Sequence, residues 1–105
     1  MTTYPPMPSP TGTLLAEHGA LEIMHAYRAG TLPDDTRWFV DQTIDQCERQ
    51  GAEARQWVDR LVAMLLREWA RGQLLGDAEL ERRSILVAAC ALASIQLQSD
   101  VLALV

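Results

Sequence analysis

The sequence predicts an all-α protein: a small four-helix bundle-like domain, residues 13–105, behind a proline-rich N-terminal arm, residues 1–12. Three observations predict it. The chain has 105 residues, 49% of them apolar, which is enough for one core in one domain. Glycines and capping residues divide it into four segments of helix length, three of which repeat their apolar residues at helical spacing. The fourth contains a run without a polar face, Ile85 to Ile95, and such a helix is buried on all sides. Three amphipathic helices suffice to surround it, and short linkers favour antiparallel neighbours.

The arm holds four of the five prolines: Pro5, Pro6, Pro8 and Pro10. Proline fixes φ and removes an N–H donor, so the stretch tends to polyproline II. Pro5 and Pro8 form a PxxP beside Tyr4, a spacing that docks on aromatic grooves. A flexible or packed N-terminal arm is the plainer reading.

The first helix is expected from Leu14 to Ala29, capped by Thr13 and stopped by Gly30. Leu14, Leu21, Met24 and Tyr27 fall near one face, which is the expected buried face. The second helix is expected to begin at Leu32 or Asp34. There Thr31, Pro33, Asp34 and Asp35 combine a cap, an early proline and favourable acids. It carries Val40, Ile44 and Cys47 inward and ends near Gly51. Trp38 falls almost opposite Val40 on the helical wheel, where a large aromatic is either tucked under the N-terminal arm or offered to a partner.

The third helix is expected from Ala52 to Arg71, with apolar residues over half its circumference. Arg60, Arg67 and Arg71 line its polar side, and Glu53, Asp59 and Glu68 lie near enough to pair with them. Glu68 falls inside the apolar arc and needs an arginine partner or a gap to solvent. Gly72 and Gly76 are expected to bracket a turn, Gln73-Leu74-Leu75. Asp77 then caps the fourth helix, with Glu79 and Glu81 in its first turn. The chain ends in five apolar residues, Val101 to Val105, which call either for docking on the domain or for a subunit interface.

A faint echo links Arg37-Trp38-Phe39-Val40-Asp41 to Arg55-Gln56-Trp57-Val58-Asp59. One pair makes no repeat array, which needs at least three units.

Composition excludes several functions. Formal charge is −5, which argues against nucleic acid and anionic membranes as partners. The longest apolar run is shorter than the ~20 residues a membrane span requires. The first twelve residues hold neither a basic nor an apolar signal region, so a cytoplasmic protein is expected. All nine basic residues are arginine, and asparagine is absent, as in a GC-rich bacterial or phage genome. Cys47 and Cys90 lie in apolar helical stretches and suggest two buried thiols rather than a metal set.

One constellation suggests metal chemistry. His18, Glu22 and His25 share a helix face, and Glu22-x-x-His25 matches the Glu-x-x-His element of di-iron bundles. Such a centre needs a second copy and further carboxylates, for which Glu17 and Glu68 are the candidates. The plainer reading is a solvated stripe. No nucleophile elbow or phosphate loop is present, and no motif decides a biochemistry.

The expectation is therefore a non-catalytic protein-interaction module without a cofactor. It would act as an acidic accessory subunit, a chaperone or a phage-type inhibitor that covers a basic surface of a larger protein. The candidate contact residues are Trp38, Phe39, Arg60, Arg67, Arg71, Val101, Leu102 and Leu104; tryptophan and arginine are enriched among binding hot spots. The alternatives are a self-assembling homo-oligomeric scaffold and a ferritin-like metal-binding oligomer.

Overall fold

A computed structural model of the chain describes residues 10–103, and side chains from residue 11 to residue 99. The expected arm lies outside the described residues up to position 9. The described chain is all-helical. Helix α1 spans Pro10–Ala29, α2 Asp34–Gln50, α3 Ala54–Leu75 and α4 Ala78–Ala103, with one 3-10 turn at Gly51–Glu53 before α3. The arrangement is compatible with a four-helix bundle.

Three boundaries differ from expectation, each for a local reason. α1 begins at Pro10 rather than Leu14, so Thr13 lies inside the helix instead of capping it. A proline in the first turn costs no hydrogen bond, because the first helical N–H groups have no partner anyway. α3 begins at Ala54 rather than Ala52, after the 3-10 turn. It then continues through Gly72 to Leu75, so Gln73-Leu74-Leu75 is its last turn and not a loop. The true stop is Gly76, whose left-handed φ of 66° lets the Asp77 N–H reach back to the Gly72 carbonyl at 2.9 Å.

Other ends fall where the residues place them. α2 follows Pro33 and carries Asp34 and Asp35 in its first turn. The Asp77 carboxylate accepts the Leu80 N–H at 3.1 Å and caps α4. The expected Thr31 cap is absent. Its hydroxyl turns back to the Ala26 carbonyl at the end of α1.

α4 is the central element and packs against all three other helices, while α1 and α3 touch each other only sparingly. Ala88, Ala91, Ala93 and Ser94 are fully buried. The expectation of burial on every side fails at Leu86, which is 40% exposed near the start of the apolar run. The Ser94 hydroxyl donates to the Cys90 carbonyl at 2.7 Å, so its burial leaves no polar group unpaired.

α1 packs in a way the leucine pattern does not suggest. Leu14 and Leu21 are both 65% exposed. Met24 and Tyr27 are half-buried as expected, against the cluster of Leu32, Val40, Cys90 and Leu97, but the fully buried positions are small residues, with Ala16 and Ala20 buried and Gly12 against Trp69. A Cβ on Gly12 would meet the Trp69 ring at 2.9 Å, and one on Gly19 would meet the Ala89 Cβ at 3.0 Å. Small residues let the two backbones approach closely, and large ones would hold them apart.

Candidate protein-interaction surface

α2 turns Val40, Thr43 and Cys47 inward, all buried. At 3.6 residues per turn this phase throws Trp38 outward, and it is 63% exposed. Asp34 and Asp45 flank it one and two turns away, exposed and without a cation partner among the described residues. Asp41 lies a turn beyond Trp38, half-buried, and accepts the Tyr27 hydroxyl at 2.7 Å. That hydrogen bond, with partial burial, pushes the Tyr27 phenol above its ordinary pKa. Arg37 stacks over the same ring, 5.6 Å from its centroid, and so fixes α2 to the end of α1.

Phe39 does not join this surface. It is half-buried against the cluster of Leu32, Val40, Cys90 and Leu97. A bulky apolar side chain 100° around the helix from Trp38 falls at the edge of the buried arc.

α3 presents a different outer face. Arg60, Arg67 and Arg71 are exposed there, with Met64, 50% exposed, between them. The expected ion-paired stripe forms only in part. Arg71 bonds Glu68 at 3.1 Å, which also supplies the partner that half-buried Glu68 requires. Asp59 pairs with Arg55 rather than Arg60. Arg60 and Arg67 have no carboxylate among the described residues. Beside them, Gln50, Glu53, Trp57, Arg60, Leu61 and Met64 line an open groove of about 380 Å³. Farther along, Glu79 holds both Arg82 and Arg83, at 2.9 and 3.3 Å, and its carboxyl lies below its usual range because Arg82 donates to it. Those two arginines therefore add little to the basic face.

The remaining sequence candidates separate. Val101 and Leu102 continue the α4 backbone, but their side chains lie outside the described residues, as does Leu104 entirely. His18 Nε2 lies 3.1 Å from Glu22 Oε1 on the exposed face of α1, the same face as Leu14 and Leu21. Among the described residues no group of three His, Cys, Asp or Glu side chains converges on a metal position, so neither His25 nor Glu17 nor Glu68 completes a set. Both cysteines are buried and free. Burial pushes the Cys47 thiol up and the Cys90 thiol up to about 11, the opposite of what a reactive thiolate needs.

One surface feature is not legible in the sequence: an open, mostly apolar hollow of about 500 Å³ between α1 and α4, lined by Ile23, Trp69, Ile85 and Leu86 among others and by the charged Glu22, Glu81 and Arg82. Its signal there is limited to Gly19, whose missing side chain brings α1 against Ala89 of α4.

Among the described residues no helix is long and apolar enough to cross a membrane. No family model matches the chain, and neither a curated protein nor a solved structure is significantly similar to it.

Proposed function

We propose that this chain is a non-catalytic protein-interaction module whose α2 face docks on a basic, partly apolar surface of a partner protein. An accessory subunit, a chaperone or an inhibitor would use such a face. The observation that carries the reading is Trp38, 63% exposed between two aspartates that have no cation partner among the described residues.

Magnitudes divide the roles. Covering the exposed part of an indole removes ~150 Å² from water, worth about 4 kcal/mol at most. A peripheral ion pair adds ~0.5 kcal/mol. Trp38 therefore supplies the affinity, while Asp34 and Asp45 set orientation, encounter rate and salt dependence. Arg and apolar groups on the partner suit both, and a nucleic acid suits neither. The two unpaired, buried thiols fit a reducing compartment such as the cytoplasm.

The test uses a defined probe, a synthetic amphipathic helix of arginine and leucine, against a glutamate–leucine control. Calorimetric titration of the full chain should show salt-sensitive binding of the first peptide only. Trp38→Ala should abolish it without loss of helicity. Equal binding of both peptides, or binding indifferent to Trp38→Ala, would overturn the assignment.

A further inference from the structure

The α2 face calls for a basic, partly apolar counterpart, and the chain carries one on α3. Asp34, Trp38, Asp41 and Asp45 stand at steps of four, three and four residues. Arg60, Met64, Arg67 and Arg71 stand at the same steps with the charge inverted. Steps of four and three keep residues on one helix stripe, the spacing by which paired helices align their seams. The two stripes are thus matched in register, opposite in charge and centred on one large apolar side chain each.

Among the described residues neither stripe is fully neutralised. Asp41 and Arg71 have internal partners, Tyr27 and Glu68. Asp34 and Asp45 on one side, and Arg60 and Arg67 on the other, have no oppositely charged partner among the described residues. Both central residues are exposed, Trp38 and Met64. The groove of about 380 Å³ bordered by Trp57, Leu61 and Met64 lies in the range that encloses a ring system.

We infer that a second copy of this chain occupies the Trp38 face: Trp38 of one copy seats in the Trp57–Leu61–Met64 groove of another, with Arg60 beside Asp34, Arg67 beside Asp41 and Arg71 beside Asp45. The inference rests on the reading of α2 as a docking face and names its partner. The contact joins unlike surfaces. Every copy owns one of each, so it closes a ring or propagates head to tail.

Sedimentation equilibrium of the full chain tests it, with two sets of exposed substitutions whose helicity is checked by circular dichroism. The wild-type chain should associate at low salt and dissociate as salt rises. Trp38→Ala alone, and Arg60→Glu with Arg67→Glu, should each weaken association about 30-fold or more, the loss expected of a hot spot. An equimolar mixture of the two variants should recover a one-to-one complex, because one retains the basic face and the other the acidic face. A monomeric wild-type chain, association indifferent to both sets, or association lost only on deleting residues 101–105 would each overturn the inference. A monomeric chain that still binds the arginine–leucine peptide through Trp38 sinks the self-partner alone. A chain that binds no such peptide removes the docking face as well.

Discussion

Helices α1 and α3 flank the same central helix but bury different kinds of residue. α3 buries Val58, Leu66 and Trp69 and turns its arginines outward. α1 buries Ala16 and Ala20, sets Gly12 and Gly19 against its neighbours, and leaves Leu14 and Leu21 in solvent. On α3, stability comes from apolar area removed from water. On α1 it comes from close backbone approach, where adding a side chain harms more than removing one. The size of a side chain therefore predicts its burial on one flank and fails on the other.

Four measurements bear on that contrast and on the helix between the two flanks. The largest effect should come from Trp69→Ala on α3, where a 5% exposed indole is lost. Urea unfolding should show a loss of about 3–5 kcal/mol. A change below 1 kcal/mol would mean that the flank is not held by burial.

The next effect concerns the central helix and alkaline pH. The folded Cys90 thiol titrates at about 11, against 9.0 for the ordinary thiol. The unfolded chain loses this proton first, so between those values the folded state binds more protons and stability falls as pH rises. The loss across the window is of order 2–3 kcal/mol, with Cys47 and Tyr27 acting in the same direction. Cys90→Ala should flatten much of this slope. A slope unchanged by that substitution would place its origin in the other two groups.

A smaller effect is expected at the α1 contact. Gly19→Leu forces bulk where a bare Cβ already meets Ala89 at 3.0 Å, and should cost about 1–3 kcal/mol. The smallest belongs to Leu21→Ala, which should leave the unfolding midpoint within ~0.5 kcal/mol of wild type. If Leu21→Ala costs more than Gly19→Leu, the small-residue account of α1 is wrong.

The same contrast explains what was legible in the sequence. Helix number, the Asp77 cap and the central apolar helix followed from capping chemistry and composition, which act locally. Trp38 was legible because Val40 and Cys47 fix the phase of α2 and leave it opposite. On α1, Met24 and Tyr27 were legible and do pack on the core, but the exposure of Leu14 and Leu21 was not, because periodicity weighs leucine above glycine and alanine. Which face wins depends on the alanines of α4, far away in the chain. The echo between α2 and α3 contained a usable hint. Val40 and Val58 occupy matched positions and are both fully buried. Phe39 aligns with half-buried Trp57, and Trp38 with exposed Gln56. Aligned this way, Phe39 belongs to the core edge and Trp38 alone to the surface. The pairing of Arg55 with Asp59, which frees Arg60, depends on rotamers that spacing does not determine.

The most direct test of the surface assignment compares two tryptophans. Trp38→Ala and Trp69→Ala would be unfolded in urea side by side, and each would be titrated with the arginine–leucine peptide. Trp38→Ala should keep wild-type stability within ~0.5 kcal/mol and lose binding, while Trp69→Ala should lose several kcal/mol. Destabilisation of Trp38→Ala comparable to that of Trp69→Ala would place Trp38 in the core and contradict the account.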